Sequence, residues 1–158
     1  MLADPNRNSE ETAGPVPRAA GGPWSQVSLR RGDEVCPVLD QVAAAMTVLG
    51  YPPGAVLGLR LALEEAIVNG LQHGNGGDPA KQVVVRYWVG PREVLAEVED
   101  EVPGFDPEGV ADPTAPQNLD KSYGRGLLLM RHCTTWLLHH GRGNLVTLCK
   151  RRPAPPCR

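Results

Sequence analysis

The chain has 158 residues, 41% of them hydrophobic, and its 16 basic and 18 acidic residues leave a net charge of −2. That length supports one domain with a proper core. The near-neutral balance gives no electrostatic case for direct binding to nucleic acid or an anionic membrane. No apolar run approaches the roughly 18 residues of a membrane span. No basic start followed by an apolar block marks a secretion signal, so the expected compartment is the cytoplasm. Cys36, Cys133, Cys149 and Cys157 show neither C-x-x-C spacing nor an accompanying histidine pair, which argues against a zinc site. The first three sit among apolar residues and are expected as small buried hydrophobes with free thiols.

Residues 1–22 are rich in Pro, Gly, Ala and charge and read as a disordered leader. The alternation over Trp24–Arg30 predicts a strand. Val35, Val38, Leu39, Val42, Ala43, Met46 and Leu49 fall on one face of a helix, with Asp33 as its expected N-cap and Pro37 in its first turn. Gly50-Tyr51-Pro52-Pro53 is a turn. The helix that follows carries the stretch Leu59–Asn75 and is expected to stop at Gly74-Asn75-Gly76-Gly77. Gln82–Val89 and Glu93–Glu99 alternate in hydrophobicity around Gly90-Pro91-Arg92 and form a hairpin with one apolar and one mixed face. Residues 103–123, rich in proline and acids, form a candidate lid. Gly126–Cys133 reads as a short helix, and Thr134–His140 with Asn144–Lys150 as a closing hairpin. Residues 153–158 are a tail, and the cluster Lys150, Arg151, Arg152 and Arg158 reads as solvated. This order predicts an α/β, two-layer sandwich, with a mixed, mainly antiparallel sheet and helices packed on one face. The domain is expected over 23–152. Neither a P-loop nor a Rossmann glycine pattern is present.

Three stretches carry chemistry. In the first, Leu59, Ala62, Leu63, Ala66, Ile67, Gly70 and Leu71 make an apolar helix face. Glu65, Asn69 and His73 recur at i, i+4 and i+8 along its edge, at about 100° per residue. A carboxylate, a carboxamide and an imidazole in that row suit a site that takes a proton and holds a metal-bound anion, although an amphipathic helix with a polar border produces the same pattern. Glu64 falls on the opposite flank. The second stretch is Asp100-Glu101-Val102-Pro103-Gly104-Phe105-Asp106, where a carboxylate at a strand end either reads a base amino group or is a solvated turn residue. In the third, Gly124-Arg125-Gly126-Leu127 places two glycines at a helix start, where free N–H groups and the dipole favour an anion. A plain glycine turn looks the same.

Together and in this order, the three stretches resemble the N, G1 and G2 boxes of the GHKL ATP-binding superfamily, which includes gyrase, histidine kinases and mismatch-repair ATPases. E-E-A-I-V-N-G-L-Q-H-G-N, D-E-V-P-G-F-D-P and G-R-G-L-L-L-M are most similar to the anti-sigma-factor serine kinases of the RsbW type, over about residues 35–152. The resemblance implies the two-layer Bergerat fold, ATP and Mg²⁺ as cofactors, a homodimer, and two protein partners, a sigma factor and a STAS-type anti-anti-sigma antagonist. It implies Glu65 as general base towards a partner serine and Asn69 as Mg²⁺ ligand. His73 and Gly74 would close the first box near the phosphates. Asp100 would read the adenine amino group, with Gly104 and Phe105 in the same box, and Gly124, Arg125, Gly126 and Leu127 would face the phosphates. Thr147 would supply a hydroxyl near the adenine, and 107–123 would be the lid. One position departs from the family's D-x-G-x-G pattern: Val102 replaces the first glycine. A positive φ there would strain a β-branched residue by about 1–3 kcal/mol, weakening ATP binding by about tenfold to a hundredfold. The alternative reading is therefore a non-catalytic module of the same fold that sequesters a regulatory partner.

Overall fold

The computed structural model describes residues 22–101, 122–140 and 143–155. The leader, the lid up to residue 121, Val102, Gly104, Phe105 and Cys157 lie outside the described residues. The elements run β1 (Ser25–Leu29), α1 (Val35–Val48), α2 (Pro53–Asn69), β2 (Val83–Val89), β3 (Glu93–Glu99), α3 (Ser122–Cys133), β4 (Trp136–His140) and β5 (Leu145–Arg151). The strands form one sheet in the order β1-β2-β3-β5-β4, and every neighbouring pair is antiparallel. The mainly antiparallel sheet expected from sequence is wholly antiparallel among the described residues.

Register decides which side chains meet the helices. Val85, Val98, Val146 and His139 are aligned across β2, β3, β5 and β4. Tyr87, Ala96, Leu148 and Leu137 make the next row on that face. Except for His139, these residues belong to the core or pack against it, together with Leu39 and Met46 of α1, Leu59, Leu63 and Ile67 of α2, and Leu127 and Met130 of α3. Each large side chain removed from water in this way contributes about 1.5–3 kcal/mol, which fixes a period-2 register against slippage. Helix α2 lies between α1, α3 and the sheet. Among the described residues, no helix is long and apolar enough to cross a membrane.

Two local expectations are corrected, and one turn gains a further role. Asp33 does not cap α1. It pairs with Arg31 at 2.7 Å, while a short 3₁₀ turn over Gly32–Glu34 precedes the helix. The Glu34 carboxylate accepts the backbone N–H groups of Arg30 and Arg31 at 2.6 and 3.0 Å, and these bonds hold its pKa below the usual carboxylate range. Cys36 is exposed, because the core face of α1 is filled by its neighbours Val35, Val38 and Leu39, while Cys149 is buried as expected and Cys133 lies between. The Gly50–Pro53 turn also does more than connect: Tyr51 is buried, and its hydroxyl donates to the Gly90 carbonyl at 2.7 Å. Burial pushes the Tyr51 phenol up to about 12.

Candidate functional site

Helix α2 starts at Pro53, where the missing N–H costs nothing. Its regular part ends at Asn69, and the chain continues through one π-helical turn over Gly70–Gly74, closed by the Asn75 N–H on the Gly70 carbonyl at 2.8 Å. A wider turn spaces residues differently from 3.6 per turn, so His73 is not simply the third rung of a straight stripe. It still lines the same cavity as Glu65 and Asn69. Single π turns inside helices recur at functional sites. Gly76 and Gly77 then take φ of 63° and 71°, the left-handed values that end the helix.

Glycines join the three stretches. A Cβ on Gly70 would lie 3.0 Å from Val83, and one on Gly74 would collide with the Asp100 carboxylate. Their absence lets the end of β3 rest directly on the π turn. Asn75, which is 3% exposed, ties the same two segments together by accepting the Glu101 N–H at 3.1 Å. On the other side, a Cβ on Gly126 would stand 2.5 Å from Glu65 Oε2 and 3.7 Å from Asn69 Nδ2. The position of the Glu65 carboxylate against α3 therefore depends on Gly126. Helix α3 begins at Ser122 and not after Gly126: packing against α2 overrides the low helix propensity of Gly124 and Gly126. The Gly124-Arg125-Gly126 segment lies inside the helix's opening turns and not before them. Gly124 and Gly126 are buried and Arg125 is exposed.

Two cavities adjoin here. The larger, of about 680 Å³, is lined by Glu65, Asn69, Gln72 and His73 from α2 and its π turn, and by Arg125, Gly126, Leu128, Leu129 and His132 from α3. This falls in the range of small-molecule sites. Glu64 is not among its lining residues, in keeping with its position on the other flank of the helix. The smaller, of about 30 Å³, is bounded by Ala66, Asn69, Gly70, Val98, Asp100, Met130, His139, Gly143, Asn144 and Val146. Asn69 lines both and so stands at their junction. The arrangement offers a large, mainly apolar chamber edged by Glu65, Asn69, Gln72, His73 and Arg125, next to a small slot bordered by Asp100 and Asn144.

Thr147 is not at this site. It is aligned with Glu97 and Leu138 on the face away from the helices, fully buried, with its hydroxyl 2.8 Å from His140 Nε2. The difference is one of register, since adjacent strand residues point to opposite faces. The polar β5-side group at the small cavity is Asn144. Sequence reasoning misses it because it precedes the strand by one residue, but its backbone carbonyl accepts the Asp100 N–H at 2.9 Å. Sequence reasoning also misses His139: only tertiary pairing shows that it ends an inner row whose other three members are valines.

Among the described residues, no group of three or more His, Cys, Asp and Glu side chains is placed to hold a metal ion. One amide oxygen on Asn69 suits a hard cation that arrives with phosphate ligands of its own, as Mg²⁺ does. The residues therefore fit Mg²⁺ in company with a nucleotide and not as a free-standing site.

The model of the histidine kinase-like ATPase domain family matches residues 30–150. Among solved structures, the chain is similar to the RsbU and RsbW domains of the Mycobacterium tuberculosis protein Rv1364c, with TM-score 0.57 and 20% identity over 84% of this chain and 34% of that one. The chain thus spans about a third of that protein's length, and the likeness is one of fold. No curated protein sequence gives a significant match.

Proposed function

Since the chain belongs to the histidine kinase-like ATPase family, we propose that it binds ATP across the two adjoining cavities and transfers the γ-phosphoryl group to a serine of a small STAS-type antagonist, as an RsbW-type anti-sigma factor. The observation that carries this reading is the position of Asn69, at the junction between the chamber holding Glu65 and the slot holding Asp100. In this reading the base lies in the slot, with the Asp100 carboxylate accepting from its amino group. The phosphates lie in the chamber, against the opening turn of α3, whose free N–H groups and dipole favour anions. Bound Mg²⁺ supplies neutralisation of the phosphate charge, and Asn69 would hold it. Glu65 takes the proton of the serine hydroxyl as its oxygen bonds to the γ-phosphorus, and the bond to the β-phosphate oxygen breaks to release ADP.

The domain proposed for this work is 23–152, acting in the cytoplasm and exchanging a sigma factor for the antagonist. A homodimer is part of the reading. On the sheet face opposite the helices, the half-buried Trp88 and Trp136 stand in one row on either side of the already buried Leu95 and Cys149, and these two tryptophans support a second copy there. Sedimentation of Trp136→Glu beside the natural chain tests it, with a monomer expected for the variant.

Val102 favours a second reading, a partner-sequestering module with a weakened nucleotide site. Calorimetry with ATP and Mg²⁺ separates the two. Binding by the natural chain, lost in Asn69→Ala, supports the kinase. No binding by the natural chain, with binding gained in Val102→Gly, refutes it in favour of the module. Phosphorylation of STAS-type proteins, abolished in Glu65→Ala, then tests the chemistry.

A further inference from the structure

We infer that His139 is the gate of the base slot: its side chain fills the space the base must enter, and it sets nucleotide affinity by how readily it turns out. The inference rests on the nucleotide reading above and adds a residue that reading does not use. In the inner row Val85, Val98, Val146 and His139, three positions carry valine and the fourth an imidazole. His139 borders the small cavity together with Asp100, Asn144 and Met130. At about 30 Å³ that cavity holds about one water molecule, and a purine base is several times larger. The slot must therefore widen before a base can enter.

The walls are not equally able to move. Ala66 and Gly70 are fixed in the buried face of α2 and its π turn, and Val98 and Val146 lie in strands paired on both sides. His139 alone among the wall residues is on β4, an edge strand paired only with β5, and it is only partly buried, so its ring has a path to water. Burial, Arg131 and His140 push the imidazole pKa down to about 4, so at neutral pH it turns without carrying a charge through the apolar slot. Asp100, Arg131 and the neighbouring His140 are the other titratable groups around the ring. A site that is closed part of the time lowers apparent affinity by the fraction of time it is closed.

The test is a size series at one position, with Val and Phe chosen because both suit an edge strand. ADP, Mg²⁺-free, is titrated calorimetrically into His139→Val, the natural chain and His139→Phe, with Asp100→Asn as a control on the base site. Affinity is expected to be about tenfold higher for His139→Val and about tenfold lower for His139→Phe. Tripolyphosphate, which has no base, should bind all three equally. A flat or reversed order with Asp100-dependent ADP binding overturns the gate and leaves the nucleotide reading standing. Parallel changes in tripolyphosphate affinity also overturn it. Failure of all three chains to bind ADP removes the nucleotide reading and the gate together.

Discussion

Replacing Gly126 with alanine separates stability from chemistry in a way that few substitutions here do. The added Cβ would stand 2.5 Å from Glu65 Oε2 and 3.5 Å from its Cδ. That is about 1 Å inside ordinary carbon–oxygen contact. The obstacle is the far end of a flexible, partly buried side chain, so the carboxylate moves and the backbone stays. The cost of that rotation is at most about 1 kcal/mol, and replacing a helical glycine contributes about 1 kcal/mol in the other direction. Melting temperature should therefore stay within a few degrees of the natural value. A carboxylate displaced by about 1 Å is no longer placed to take the serine proton, and a misplacement of that size costs on the order of a hundredfold in rate. The assay is transfer of labelled phosphate to a STAS-type acceptor at saturating ATP, beside thermal unfolding of the same samples. Turnover within threefold of the natural chain, at unchanged stability, would refute Glu65 as the base held against Gly126. A loss of both would show that α3 itself had been displaced.

Gly74→Ala strikes the opposite end of the site. Its Cβ collides with the Asp100 carboxylate, so ADP affinity should fall at least about tenfold, and calorimetry checks it. Thr147→Val should leave ADP affinity within about twofold because the hydroxyl faces away from the cavities, whereas Asn144→Ala should lower it measurably; equal effects would contradict the register. The depressed His139 pKa predicts pH-dependent stability. The unfolded chain takes up this proton near pH 6.5 and the folded chain only near 4, so stability falls as pH drops through that window. The full shift corresponds to about 3 kcal/mol, which solvent screening at an edge strand reduces to on the order of 1 kcal/mol. Denaturant unfolding of His139→Leu should show a correspondingly flatter pH profile between those limits.

Much of this architecture is legible in the chain itself. Period-2 alternation in β2 and β3 and helical periodicity in α1 and α2 name the buried faces, because removing apolar surface from water is the main driving force of folding and leaves its period in the sequence. The same periodicity separates Glu65 from Glu64, and three short motifs in order identify the family. What escapes the sequence depends on contacts between distant segments. Read locally, α3 starts too late, because two glycines argue against helix, whereas in the fold the helix packs against α2 with Gly126 facing Glu65 and Asn69. Thr147 falls on the side away from the site because a one-residue slip inverts a strand and nothing local fixes its phase. Asn144 and His139 become site residues only when β5 pairs with β3 and β4 pairs with β5.

Composition and period, both local, thus settle which residue types are present for the chemistry and which faces are buried. Which of those residues meet is settled only by the packing of distant segments. Gly74 and Gly126 look like breakers in the sequence, but in the fold they are the two points where missing side chains let Asp100 and Glu65 come in beside the two adjoining cavities. That meaning has no local signature, because a glycine's role in close approach is set by the atom that comes to fill the empty position.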